Sequence, residues 1–151
     1  MRAIAIALGS NLGSRADTIR IAADGLARVL RNFRLSSIVE TAPVGAGLEH
    51  DPPYLNAVGV GESDLSAREI FDALRGIEEQ AGRTRPYPGA PRTLDLDLIL
   101  AGDEVIEEDD LQVPHPRFRE RLFVLDPLCE IAPDLVDPVT GLTVAELRRR
   151  L

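Results

Sequence analysis

The chain begins with an alternation of large and small apolar residues. Ile4, Ile6 and Leu8 alternate with three alanines over residues 2–8. A strand with apolar residues on both faces is buried on both sides. The pattern predicts a central strand, not a membrane span or a signal peptide, because the apolar run is only about seven residues long.

Two later segments repeat apolar residues at the three- and four-residue spacing of a helix. The first covers residues 14–30. The second begins at Ser66 and carries Ile70, Phe71, Leu74 and Ile77 on one face. Ser14 with Asp17, and Ser66 with Glu69, resemble the capping box that starts a helix. Both segments are therefore predicted to be helices.

Three further strands are predicted at residues 33–41, 54–61 and 93–100, with Pro- and Gly-containing loops between them. The resulting order, βαββαβ, is the ferredoxin-like plan of an α+β fold, in which both helices cover one face of an antiparallel sheet. The C-terminal extension contains short helical pieces at 127–132 and after a capping box at 143–146. We expect it to cover the other face, giving a single domain over residues 1–151 with three layers, α/β/α.

The charge of the chain limits its possible partners. The formal net charge is −8, and all 17 basic residues are arginine. Nucleic acids and anionic membranes require an extended basic surface, so neither is an expected partner. Without lysine there is no P-loop lysine, and any bound phosphate must be held by guanidinium groups. The single cysteine, Cys129, excludes an intrachain disulfide and is typical of a reducing, cytoplasmic compartment.

The most informative segment is residues 90–100. Alternate residues share a face of a strand, so Leu94, Leu96, Leu98 and Leu100 are expected to pack inward. Asp95 and Asp97 then project together from the other face, with Cα atoms about 6.6 Å apart. Two such carboxylates could bind magnesium ions, which also take water and substrate phosphates as ligands. From this spacing alone, an ordinary solvated strand face is the more probable alternative.

Three arginines close to the carboxylate pair favour a triphosphate site. Arg92 lies just before the strand, and Arg83 and Arg85 lie in the preceding loop. Guanidinium groups bind phosphate oxygens in bidentate geometry. A solvated loop position remains an alternative for any one of them, and for Arg85 it is nearly as probable.

Four linked motifs resemble one known family. They are residues 91–97 (PRTLDLD), residues 8–13 (LGSNLG), residues 41–45 (TAPVG) with 54–57 (YLNA), and residues 113–116 (VPHP) followed by Arg121 and Phe123. Together they resemble the 6-hydroxymethyl-7,8-dihydropterin pyrophosphokinase family, essentially from end to end. The chain differs from the family at residues 88–90, where a basic residue and a tryptophan are common, and at Asp110, where a basic residue is often found.

The resemblance implies an ATP-dependent diphosphotransferase of folate biosynthesis. It would transfer diphosphate from ATP to the hydroxymethyl group of the pterin and release AMP. Asp95 and Asp97 would bind two Mg²⁺ ions, and the expected catalytic residues are Arg83, Arg92 and Asp97. The predicted ATP-binding residues are Glu78, Arg83, Arg85, Arg92, His115 and Arg121.

The resemblance also implies a pterin site. The predicted pterin-binding residues are Thr41, Pro43, Val44, Tyr54, Asn56 and Phe123. A flat, polar ring needs aromatic faces and a few fixed hydrogen-bonding groups, which agrees with this set. The segment around Phe123 alone would instead indicate a plain core aromatic residue.

Other functions fit the sequence less well than this one. The main alternative is a relative of the same fold that binds pterin or nucleotide but has weakened catalysis. An RNA-binding module is disfavoured by the net charge and the 4% aromatic content. Gly9 and Gly13 match neither the P-loop nor the Rossmann pattern. We expect a monomer with ATP and the pterin alcohol as its substrates.

Overall fold

The computed structural model describes residues 1–10, 15–41, 54–82 and 94–151. In chain order the elements are β1 (Arg2–Ser10), α1 (Arg15–Val29), β2 (Arg31–Leu35), β3 (Val39–Thr41), β4 (Tyr54–Ser63), α2 (Ala67–Gly82), β5 (Asp95–Ala101), β6 (Ile106–Glu107), β7 (Gln112–Val113), α3 (Leu122–Ile131) and α4 (Val144–Arg149). A short 3₁₀ helix, Phe118–Glu120, precedes α3.

The main sheet is antiparallel, with the strand order β2-β4-β1-β5 and with β3 also paired to β4. The first strand lies between β4 and β5, as its apolar alternation predicts. Strand β4 separates β1 from β2, and β1 separates β4 from β5, so the two βαβ units interleave. The predicted α+β, ferredoxin-like core is confirmed.

Two apolar cores lie on opposite faces of this sheet. The first contains Ile4, Ile6 and Leu8 of β1 with the apolar faces of α1 and α2. The second contains Ala5 of β1 with Phe118, α3 and α4. Alternation along β1 thus supplies both cores, because successive side chains of a strand point to opposite faces. The predicted three layers, α/β/α, are present.

The predicted strand at 33–41 was wrong in one respect, since it is two strands. The backbone N–H of Ser36 donates to Val58 O at 2.9 Å, and the Ser36 hydroxyl accepts from Val58 N at 2.9 Å. Ser37 leaves the sheet and donates through its N–H and its hydroxyl to the Glu130 carboxylate of α3. The Ser36 hydroxyl thus accepts the hydrogen bond that a backbone carbonyl of β2 would otherwise accept, and β2 ends there.

The inward-facing set predicted for β5 was also wrong at one residue. Leu94, Leu96 and Leu98 lie in the first core, but Leu100 lies in the second. The pairing of β1 with β5 shifts between Ala5 and Ile6, where Leu98 and Leu100 pair with consecutive residues. The extra residue, Ile99, forms a bulge that changes which face the following side chains occupy.

The predicted capping boxes are confirmed where the structure describes them. Ser66 and Glu69 exchange backbone-to-side-chain hydrogen bonds at 3.0 and 3.1 Å at the start of α2. Thr143 and Glu146 form the same arrangement at the start of α4. Ser14 lies outside the described residues. The helix predicted at 127–132 begins earlier, at Leu122, so that α3 carries Phe123 in its first turn.

Candidate active site

A cleft of about 730 Å³ opens at the end of the sheet where β1 finishes. Its floor is formed by residues 7–9 of β1, with β4 on one side and β5 on the other. The segment from His115 to Val124 supplies the opposite wall. The cleft therefore brings together residues from all four motifs, which stand far apart in the sequence.

The carboxylate pair lies at one end of the cleft. Asp95 and Asp97 both line it, with Asp95 exposed and Asp97 half-buried. Leu96 between them points into the first core. The shared orientation predicted for the two carboxylates is therefore present, and it places both of them toward the same space.

Two side chains of α2 hold the outer side of β5. Leu96 N donates to Glu78 Oε2 at 2.8 Å, and Arg75 donates from Nη2 to Leu96 O at 2.7 Å. Arg75 and Glu78 also form an ion pair at 3.0 Å. Glu78, predicted to contact the nucleotide, is thus directed at the backbone between the two aspartates and is not among the described residues lining the cleft.

His115 faces the carboxylates from across the cleft. Its backbone N–H donates to Ile99 O at 3.0 Å, which ties the motif loop to the bulge of β5. Burial lowers the pKa of His115, the Asp97 carboxylate opposes this shift, and the guanidinium groups of Arg121 and Arg117 add to it. Arg117 N donates to His115 Nδ1 at 3.2 Å, so a neutral ring carries its proton on Nε2.

Two arginines line the same wall. Arg121 lies with its guanidinium carbon 5.5 Å from the centroid of the Phe123 ring, a cation–π distance. Arg117 lies two residues beyond His115 and also lines the cleft. Sequence reasoning missed Arg117, although its place in the His115 loop was a usable signal. Positive charge thus stands opposite the carboxylate pair.

The other end of the cleft is aromatic. Tyr54, at the start of β4, is 36% exposed, and Phe123 is half-buried. Phe123 also packs against the second core, so part of its ring is a core contact and part faces the cleft. The position of Phe123 is therefore compatible with both sequence interpretations, a pterin-binding residue and a core aromatic residue.

Two polar side chains lie close to the aromatic end. Asn56 Nδ2 donates to Thr41 Oγ1 at 2.8 Å, and both residues line the cleft. A Cβ atom at Gly9 would stand only 3.3 Å from Asn56 Oδ1, which is closer than most such contacts. The absence of a side chain at Gly9 thus leaves room for the Asn56 amide.

Five of the predicted site residues lie outside the described residues: Pro43, Val44, Arg83, Arg85 and Arg92. Asp110, where the family often has a basic residue, pairs with Arg68 of α2 at 2.8 Å. It is not among the described residues of the cleft.

Residues 5–133 match the family model described as 7,8-dihydro-6-hydroxymethylpterin-pyrophosphokinase (HPPK). The chain belongs to this family. The family indicated by the sequence motifs is therefore confirmed, and it is a family of enzymes.

Curated relatives agree with membership of the pyrophosphokinase family. The chain is 40% identical over 144 residues to the 2-amino-4-hydroxy-6-hydroxymethyldihydropteridine pyrophosphokinase of Synechocystis, covering 94% of this chain and 72% of that protein. It is 42% identical over 138 residues to the enzyme of the same name from Bacillus subtilis, covering 90% of this chain and 81% of that one. It is 37% identical to the folic acid synthesis protein fol1 of Pneumocystis carinii, with 95% of this chain matched, but it spans only 19% of that longer protein.

The fold is shared with solved structures of more distant proteins. The HPPK-DHPS of Plasmodium falciparum superposes with a TM-score of 0.74 over 98% of this chain and 44% of that one. At 14% sequence identity, this similarity establishes the fold alone.

Proposed function

We propose that the chain transfers the diphosphoryl group of ATP to the hydroxymethyl oxygen of 6-hydroxymethyl-7,8-dihydropterin, in folate biosynthesis. The observation that carries the proposal is that one cleft is lined by a carboxylate pair, a histidine and two arginines together with two aromatic rings and an amide. Membership of the pyrophosphokinase family supports it. The products would be AMP and the pterin diphosphate.

Asp95 and Asp97 would hold magnesium, with two ions as the proposed number. Among the described residues no group of three or more Asp, Glu, His or Cys side chains is placed to hold a metal ion. Such a sparse donor set suits Mg²⁺, which keeps several waters and binds through one or two carboxylates and the substrate phosphates. When bound, magnesium would neutralise charge on the transferred group.

The remaining cleft residues would bind and orient the triphosphate. His115, neutral and protonated on Nε2, can donate one hydrogen bond to a phosphate oxygen. Arg121 and Arg117 would add charge-assisted hydrogen bonds from the same wall. Arg83, Arg85 and Arg92 remain proposed phosphate ligands, and a nucleotide contact by Glu78 remains a prediction.

The aromatic end would bind the pterin between Tyr54 and Phe123. Stacking on ring faces fixes the plane of a heteroaromatic ligand. Asn56, with Thr41, would meet its polar edge, because the Asn56 amide oxygen is an acceptor that is not used in the bond to Thr41. Pro43 and Val44 are proposed to complete that edge.

The chemistry needs positioning more than it needs a reactive side chain. The pterin hydroxyl oxygen would attack the β-phosphorus of ATP as the bond to the α,β-bridging oxygen breaks, and AMP would leave in line. Holding both substrates in this geometry makes the step effectively unimolecular. No covalent intermediate with the protein is required.

A coupled assay for AMP tests the function. With magnesium, ATP and the pterin alcohol, the protein should release AMP in proportion to the pterin diphosphate formed. Tight binding of both substrates by calorimetry without AMP release would instead establish the alternative, a relative with weakened catalysis.

Phe123→Ala is expected to weaken pterin binding about 30-fold, since loss of stacking on one ring face costs about 2 kcal/mol. ATP binding should change less than threefold, about 0.6 kcal/mol. Calorimetry with each ligand measures both effects. Phe33→Ala removes a partly buried aromatic residue of β2 that lies outside the described cleft lining, and it is the matched control. Equal loss of both ligands in Phe123→Ala would favour the core interpretation.

Three broader expectations also remain proposals. The two cores built on one sheet support a single domain over residues 1–151. A monomer and a cytoplasmic location are predictions from the sequence. Within the described residues, no helix combines the length and the apolar character needed to cross a membrane.

A further inference from the structure

Strand β5 is an edge strand of the described sheet, and it carries the carboxylate pair. One edge of β5 pairs with β1, where Ala7 lies opposite Asp97 and Gly9 opposite Asp95. Among the described residues, no strand pairs with the other edge. Edge strands expose backbone N–H and C=O groups that need other partners.

Arg75 and Glu78 provide those partners at Leu96. The Leu96 N–H donates to Glu78 Oε2 at 2.8 Å, and the Leu96 C=O accepts from Arg75 Nη2 at 2.7 Å. The 3.0 Å ion pair between Arg75 and Glu78 closes the ring. Two side chains one helical turn apart thus occupy both backbone groups of one residue, as a neighbouring strand would.

The surroundings hold this ring in place. The Arg75 guanidinium carbon lies 4.8 Å from the centroid of the Phe71 ring, and the Glu78 side chain is only 10% exposed. Arg75 is 38% exposed, so the sheltered bond is the one from the Leu96 N–H to the ionised Glu78 carboxylate, and such a bond is stronger than a neutral, solvated one. The ring therefore resists opening more than an exposed side-chain contact would.

We propose that Arg75 and Glu78 are positioning residues for the metal site, because together they fix the backbone of Leu96 and with it the spacing and direction of Asp95 and Asp97. Magnesium tolerates little departure from octahedral geometry, with oxygens at about 2.0–2.1 Å. A strand held at only one edge would let the two carboxylates move relative to each other. Helix α2 thus contributes to the site indirectly, because its Arg75 and Glu78 side chains hold the backbone of β5 and are not among the described residues that line the cleft.

This inference rests on the proposed function, and it differs from the nucleotide contact predicted for Glu78. A direct nucleotide contact would make Glu78 alone important. The positioning role makes Arg75 and Glu78 equally important, and it acts on the metal affinity and on the Leu96 amide before any chemistry takes place.

The test uses two measurements on the full chain. Hydrogen exchange of the Leu96 amide is followed by NMR in the ligand-free protein, and Mn²⁺ binding is followed by EPR in the presence of α,β-methylene-ATP. The variants are Glu78→Ala, Glu78→Gln and Arg75→Ala. Matched controls on the same helix are Arg68→Ala, which also lies over Phe71 but pairs with Glu108 and Asp110, and Glu79→Ala, an exposed neighbour.

Glu78→Ala and Arg75→Ala should each speed exchange at Leu96 and weaken Mn²⁺ binding about tenfold, the usual effect of losing a residue that supports a metal ligand. Glu78→Gln should keep most of the wild-type protection of the Leu96 amide and most of the Mn²⁺ affinity, because the glutamine amide oxygen can still accept from Leu96 N. The two controls should resemble the wild type in both measurements. If Glu78→Ala does not fold, Arg75→Ala and Glu78→Gln still carry the comparison.

Unchanged Leu96 exchange in Arg75→Ala, or faster exchange with wild-type Mn²⁺ affinity, would overturn the inference. So would a wild-type protein that binds no Mn²⁺ with the analogue. A wild-type protein that shows the expected Mn²⁺ and exchange behaviour but releases no AMP would contradict the proposed function while leaving the positioning role intact.

Discussion

Asp97→Asn is expected to lower the turnover number for AMP release by about 10³-fold, the scale on which loss of one charge-stabilising group acts. The free energy of unfolding should change by less than about 0.5 kcal/mol, because Asp97 is only half-buried and its side chain lines the cleft. Steady-state assays at saturating ATP, magnesium and pterin, together with urea unfolding, measure the two effects.

Asp103→Asn is the matched control for this change. Asp103 is exposed just beyond the opposite end of β5 and lines a separate, small depression away from the cleft. It should keep wild-type turnover. Wild-type turnover in Asp97→Asn would remove the metal-binding assignment, whereas a large loss of stability would show that the residue is structural.

Asp137→Ala should lower the free energy of unfolding by about 3 kcal/mol, the lower end of the cost of breaking a buried ion pair. Asp137 is completely buried and accepts from Arg119 Nη2 at 2.9 Å, from Val139 N at 3.0 Å and from Thr140 Oγ1 at 2.7 Å. The bond from Arg119 ties the loop after α3 to the 3₁₀ helix before α3, and the other two bonds lie within that loop. Urea unfolding at pH 7 measures the loss, and a change below 1 kcal/mol would contradict it.

The same carboxylate should make stability depend on acid pH. Burial raises the pKa of Asp137, but hydrogen bonds from Arg119, Thr140 and the Val139 N–H outweigh it and lower the pKa to about 2, from 3.8. The stabilisation is therefore present above pH 3.8 and is lost as the pH falls toward 2. Asp137→Asn should show a weaker loss of stability over this range. Asp134→Asn, an exposed change in the same loop, should keep the wild-type slope.

The elements could be predicted from local patterns because those patterns reflect local physics. The alternation over residues 2–8 and the helical spacing after Ser66 each have one structural solution that buries the apolar positions. The capping boxes at Ser66 and Thr143 use only neighbouring residues. These features are therefore the same in the folded protein as in the prediction, because they depend on neighbouring residues.

The break between β2 and β3 and the bulge at Ile99 could not be predicted in this way. The break depends on Val58 and Glu130, which meet Ser36 and Ser37 only after the sheet and α3 are assembled. The bulge depends on the register between β1 and β5. Neither partner can be identified from a single strand's own sequence, because both belong to elements distant in the chain.

The carboxylate pair and its shared direction followed from the sequence alone, since alternate residues of a strand point the same way whatever surrounds them. The family motifs supplied His115, Arg121 and the aromatic pair. The tertiary structure alone decided that Arg75 and Glu78 hold the backbone of Leu96, and it also placed Arg117 in the cleft, for which the sequence offered only its nearness to His115. The physical reason is that these roles depend on distances between elements, which are established by packing two helices and one extension against the same sheet.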